Sequence, residues 1–344
     1  MGVGVGHRWM VTTFALFVFL GVSVAQETVP PATQNQTPNE LPHPSNGSLD
    51  GARPQTPTNN PAQAERGGGT QAGELTKREI PPEELRDLVR RAMENDQENY
   101  RKQKDLTHIE RQKTEHLDGD GKTKKTEIVT KEILILYGDR MERVIERDDK
   151  PLSDAEKRKE DEKFDKEVAK LQKESDEQRQ KRIAKYEEES KKAREFVQEV
   201  AQAFNFKFEG EEMFNGRPAY VVSGEPRPDY KPSSREGKIL AKTRGKIWID
   251  IASTHWVKLD VEFTDTVSFG WILARVRPGT RITVDQNLFR DEVWVPQQIK
   301  FNLDARVGLF KQLFENVDVT FRDWRKFSSE AKILDYSEIE QKKD

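Results

Sequence analysis

The sequence predicts an α+β fold: a curved antiparallel β-sheet whose concave apolar face is covered by helices, with a long charged helix in addition. Three observations predict it. Residues 216–327 alternate with a period of two, Val257, Leu259, Val261 and Phe263 against Lys258, Asp260 and Glu262. The beat recurs at Ile299, Phe301 and Leu303 against Lys300, Asn302 and Asp304, and again at Val317, Val319 and Phe321. Successive strand side chains face opposite sides, so this is a sheet with one dry and one wet face, as in antiparallel meanders. Second, two helical stripes, one around Leu85 and one around Phe196, are apolar enough to cover the dry face. Third, residues 152–209 contain no Gly or Pro and are dense in Lys and Glu.

In chain order, residues 1–25 read as a secretory signal. His7 and Arg8 start it, residues 11–22 form an apolar stretch, and Ser23, Val24 and Ala25 precede a cleavage point before Gln26. The stretch falls short of the ~20 apolar residues of a membrane span, so a cleaved signal is read in preference to an uncleaved anchor. No later segment approaches a span. Residues 26–78, rich in Pro, Gln, Asn, Thr and Gly, read as a disordered tether, because they cannot bury enough apolar surface to offset ordering. The ordered domain is expected over 79–340, with a charged helical insertion at about 153–195.

Pro81 and Pro82 suit a helix entry, and Glu83 and Glu84 favour its positive end. Leu85, Leu88, Val89 and Ala92 then share one face, and the helix is expected to end near Asn95. Strand-like segments follow at 100–117, 124–137 and 140–147, the first polar on both faces, joined by turns at 118–121 and 138–139. Ser153 and Glu156 spell a capping box. The helix after it would extend ~75 Å over about 50 residues. Phe164, Val168 and Leu171 make a modest stripe, and Phe196, Val197, Val200, Ala201 and Phe204 a stronger one. Residues 172–182 offer nothing to bury: they are either a solvated helix held by Glu/Lys pairs or a point where two helices part. Heptads are not sustained there, which disfavours a coiled-coil partner.

The chemistry-bearing motifs are incomplete. Gly121, Lys122 and Thr123 mimic the tail of a phosphate loop, but His116 stands where its first glycine belongs. Asp118 and Asp120 mimic a calcium loop, yet Lys122 and Val129 occupy ligand positions. A plain hairpin turn is the expectation. His108 and His116 lie ~27 Å apart on an extended strand and cannot share a metal. His255, beside Trp256 at a turn, reads as a surface histidine. Carboxylates alternate outward or line the charged helix, with none in an apolar setting suited to acid–base work. With no cysteine, disulfides and thiolate metal sites are excluded. No catalytic site, metal or cofactor is expected. The net charge is −3, or −4 without residues 1–25, whose one counted charge is Arg8, so nucleic acid is not an expected partner.

Residues 266–277 break the alternation with Phe269, Gly270, Trp271, Ile272 and Leu273. Two readings stand: a strand folding back into the core, or an apolar loop at the mouth of a cleft.

The order of signal, amphipathic helix, strands, helix and strand series carries Gly245-Lys246-Ile247-Trp248-Ile249-Asp250, Trp294-Val295-Pro296, and Phe321-Arg322-Asp323-Trp324-Arg325-Lys326-Phe327. Together these resemble the periplasmic outer-membrane lipoprotein-sorting, or lipoprotein-carrier, superfamily over about 80–330. The resemblance implies an open, curved antiparallel half-barrel with helices in its concave side. It also implies an apolar cavity for acyl chains of lipid or lipoprotein, without cofactor or catalysis, in the bacterial periplasm or exterior. An envelope sensor or adaptor binding a protein partner, and a structural spacer, are the other readings. If a groove exists, Val257, Leu259, Val261 and Phe263 are its expected floor and Phe269, Trp271, Ile272 and Leu273 its expected rim.

Overall fold

A computed structural model describes residues 80–326, except 104, 138, 233, 235–236, 270–273 and 308–310. The signal, the tether, the rim residues Trp271, Ile272 and Leu273 and the end of the domain lie outside the described residues.

Helix α1 (Pro82–Gln103) opens the order. It starts where expected, with Pro82 in the first turn and Glu83 and Glu84 at its positive end. It runs on past Asn95 and takes in the first residues of the expected strand at 100–117. The buried stripe Leu85, Leu88, Val89 and Ala92 continues as Asp96 and Asn99, so the helical period persists after the apolar residues stop. Strands β1 (Leu106–Leu117), β2 (Thr123–Leu136), β3 (Asp139–Arg147) and β4 (Lys150–Pro151) form a meander. The β1–β2 connection is a plain hairpin turn. The Asp118 carboxylate accepts from the backbone N–H of Asp120 and of Lys122, each at 2.9 Å, and Gly121 adopts φ 79°.

The charged segment is two helices, α2 (Asp154–Gln172) and α3 (Asp176–Ala203). Ser153 and Glu156 make the expected capping box, and a second box of Ser175 and Gln178 starts α3. The parting falls inside 172–182, the stretch with nothing to bury. Phe204, expected in the last helical stripe, instead opens a strand with φ −116° and ψ 147°. The sheet then resumes as β5 (Phe204–Phe214), β6 (Arg217–Pro226), a single helical turn α4 (Gly237–Leu240), β7 (Thr243–Asp250), β8 (Trp256–Phe263), β9 (Val267–Phe269), β10 (Ala274–Val276), β11 (Arg281–Phe289), β12 (Val293–Val307) and β13 (Lys311–Lys326).

Every pairing described is antiparallel, in the order β4-β3-β2-β1-β13-β12-β11-β8-β7-β6-β5, with β9 and β10 as a side hairpin on β12. Two edges remain, so the sheet is open. The α1 stripe shares one core with buried residues of six neighbouring strands, from Val222 on β6 to Val317 and Val319 on β13. Six strands at ~4.8 Å spacing span ~24 Å, whereas a helix with side chains is ~10–12 Å across. One helix can share a core over that width only if the sheet curls around it. The fold is therefore a curved, open α+β half-barrel.

Candidate binding face

The face around α1 is built from alternate residues of consecutive strands. Ile247 and Ile249 (β7), Val261 and Phe263 (β8), Ile282 and Val284 (β11), Ile299 and Phe301 (β12), and Val317 and Val319 (β13) are all buried in one cluster with Leu85, Leu88, Val89 and Ala92. Leu259 is partly buried against the same cluster. Leu259, Val261 and Phe263 thus share the dry face as the alternation predicts.

Val257 does not share it. It packs with Ala219, Val221, Trp248 and Trp294 in a separate core. The cause is a β-bulge: Ile249 lies opposite Trp256 and Trp248 opposite Lys258, which leaves Val257 without an opposing residue. A bulge adds a residue to one strand and reverses the side-chain phase beyond it. Strict alternation cannot register that insertion. Of the rim residues, Phe269 ends β9 with its backbone paired to Ala274 on β10, and Val267 is buried in the main core.

The carboxy-terminal half of α1 is fixed by polar contacts. Asn95 Nδ2 donates to the Thr254 carbonyl at 2.8 Å. Asn99 exchanges two hydrogen bonds with the backbone of Trp294, donating to its carbonyl at 2.7 Å and accepting from its N–H at 2.8 Å. Gln103 Nε2 donates to the same carbonyl at 2.5 Å. Asp96 stands within 3.4 Å of His255 Nε2 and accepts from Gln286 Nε2 at 3.4 Å. His255 is not a surface residue. It is 4% exposed and stacks on Trp294 with ring centroids 5.9 Å apart. Nor do all carboxylates face outward: Asp96 is 2% and Asp250 0% exposed. Asp250 is gripped by Arg217 at 2.7 and 3.0 Å and by the Ser253 hydroxyl at 2.7 Å. Burial pushes the Asp250 pKa up, but Arg217 and Ser253 more than offset it and hold the carboxyl below its ordinary range. The signal for Asp96 was present in the sequence as the helical spacing 85, 89, 92, 96, 99. Nothing in the sequence pairs it with His255.

The same side of the sheet changes character at β1–β3. There Glu110 is ion-paired to Arg140 and accepts from His108 at 3.2 Å, Lys131 pairs with Glu142 at 3.2 Å, and Trp324 stacks on His108 at 4.0 Å. Burial alone would raise the Glu110 pKa; Arg140, His108 and Lys131 instead hold it at about 2. Burial pushes His108 down, against the pull of Glu110. This is a wall of mutually neutralised charge.

Among the described residues, no group of three or more His, Asp or Glu side chains is placed to hold a metal ion, and no helix is long and apolar enough to cross a membrane. The arrangement offers an apolar face, a helix laid on it and a polar fixture at that helix's end.

No family model matches the chain, and no curated protein matches it. Among solved structures it is similar to a domain from Vibrio parahaemolyticus described as an outer membrane lipoprotein-sorting protein, at 14% identity and TM-score 0.30, covering 74% of this chain and 99% of that one. It is also similar to a LolA-superfamily protein of Nitrosomonas europaea, at 9% identity and TM-score 0.28, covering 75% and 99%. A third is the MucA/MucB complex of Pseudomonas aeruginosa, at 12% identity and TM-score 0.20, covering 69% and 92%. At such scores the likeness carries no argument about ligand or activity.

Proposed function

We propose that this chain is a non-enzymatic envelope binding protein that receives acyl chains of lipid or lipoprotein on the apolar face now covered by α1. The observation that carries the reading is the imbalance between that face and its cover. The strands present buried apolar side chains over six neighbouring strands, whereas the helices bring five buried apolar residues to them, Leu85, Leu88, Val89 and Ala92 of α1 and Ile239 of α4, with Met93 partly buried alongside. Beyond the helix, Phe206, Phe208, Tyr220, Leu259, Val276 and Phe321 border the core only partly buried.

The energies permit exchange. Burying a Leu or Val side chain contributes ~1.5–3 kcal/mol, so the α1 stripe contributes on the order of 5–9 kcal/mol. At ~0.8 kcal/mol per methylene, an acyl chain of about 16 carbons offers on the order of 12 kcal/mol for the same face. An acyl chain is thus a fair competitor for the amino-terminal, apolar half of α1, while Asn95, Asn99 and Gln103 hold the other half in place. In this reading Leu259, Val261 and Phe263 are the floor the chain lies on, and Phe269, Trp271, Ile272 and Leu273 border its entry. Val257, on the other face, is left out of the floor.

Purification under mild conditions, followed by lipid extraction and mass spectrometry, tests the reading. Stoichiometric acyl lipid is the expected result. Absence of lipid, together with a tight protein partner in a pull-down, would replace it with the adaptor reading.

A further inference from the structure

We infer that the polar end of the α1 stripe is a head-group subsite that takes a neutral hydrogen-bond donor, a hydroxyl or amide N–H, in preference to a carboxylate. This rests on the acyl-binding reading above and specifies the ligand. Leu85, Val89, Ala92, Asp96 and Asn99 form one continuous helical stripe, so the apolar face runs directly into the polar cluster. Ala92 and Asp96 are one turn apart, ~6 Å along the axis. An apolar strip with a polar terminus is the shape of an amphiphile.

The chemistry of the cluster sets the class. Asp96, His255 and Gln286 are 2%, 4% and 3% exposed. Among the described residues, Asp96 Oδ2, Gln286 Oε1 and His255 Nε2 have no hydrogen-bond partner. Two of these atoms are acceptors only, and the role of the imidazole nitrogen follows its tautomer. Buried acceptors without donors are unfavourable by ~1–3 kcal/mol each, and a donor on the ligand relieves that penalty. A carboxylate head would do the reverse, bringing a second negative charge beside buried Asp96. The neighbouring guanidinium is not available to neutralise it. Arg217 lies over the Trp294 ring that His255 stacks on, and it is paired with Asp250.

The test uses the full chain with two probes of equal chain length, a 1-monoacylglycerol and the free fatty acid, titrated below their micelle concentrations. The monoacylglycerol is expected to bind about tenfold more tightly, the equivalent of one good hydrogen bond. Asp96→Asn, with folding checked by circular dichroism, is expected to abolish most of that preference. If Asp96→Asn does not fold, Gln286→Leu removes one acceptor and is expected to shrink the preference. Equal binding of both lipids by the unaltered protein, or a preference unchanged in the variants, overturns the head-group assignment alone. Binding of neither lipid overturns the acyl-binding reading on which it rests.

Discussion

The side of the sheet that carries α1 is finished in two different ways. Across β6–β8 and β11–β13 the cover is apolar and needs no directional partner, apart from the polar fixture at the end of α1. Across β1–β3 that side carries Glu110, Arg140, Lys131 and Glu142, each in contact with a group of the opposite sign, and His108 hydrogen-bonded to Glu110. An apolar face tolerates exchange of its cover, because one greasy surface substitutes for another. A buried ion network does not, because any displaced member leaves a partner uncompensated. The contrast separates an exchangeable apolar half from a fixed charged wall, and the proposed acyl-binding reading uses only the first.

The largest effect expected from breaking this comparison is in the apolar half. Phe263→Ala removes a 3% exposed ring from the main core and should cost about 3–5 kcal/mol by urea unfolding. A loss under about 1 kcal/mol would mean that this part of the face is loosely packed.

Next comes the charged wall. Glu110→Ala removes the carboxylate that Arg140 and His108 share, leaving Arg140 only its longer pair with Glu142 at 3.5 Å, and should cost about 3 kcal/mol. The wall should also be the acid-sensitive half. Glu110 has a folded pKa of about 2 against an ordinary 4.5. The unfolded chain therefore takes up that proton first. Its stabilisation is complete above pH 4.5 and is lost as pH falls towards 2. His108, whose pKa burial also lowers, loses stabilisation in the same direction, as pH falls below its ordinary 6.5. Glu110→Gln should flatten the unfolding free energy over the more acidic of these ranges, and an unchanged pH slope would contradict the pairing.

A smaller effect is expected where the two charged helices part. Ser175→Ala removes the cap of α3 and should cost about 1 kcal/mol, read as reduced helicity and a lower Tm. If helicity does not fall, the break at 173–175 is held by something other than the cap.

The smallest stability change sharpens the functional half of the comparison. Trp271→Ala should leave stability within ~0.5 kcal/mol while weakening uptake of a fluorescent acyl probe. A loss of ~3–5 kcal/mol would place Trp271 in the core and remove it from the entry.

Much of this was legible in the sequence. Two-residue alternation placed Leu259, Val261 and Phe263 on one face, and the capping box at Ser153 placed the start of α2. Those features are local, set by steric periodicity and by hydrogen bonds between near neighbours, so a one-dimensional pattern contains them. Other features required tertiary structure. The bulge at Val257 depends on which residue of β7 lies opposite, and a strand read alone has no opposite. The burial of Asp96 and His255 depends on α1 meeting the β7–β8 turn from 159 residues away, the separation spanned by the Asn95–Thr254 bond. The continuation of α1 to Gln103 was hidden for the same reason. Its polar residues satisfy their hydrogen bonds on Trp294, so a helix face that looks solvated in sequence is buried in space. Composition and period determined the two faces of the sheet. Long-range pairing decided which residues each face keeps, because polar burial is stable only where a distant partner completes it.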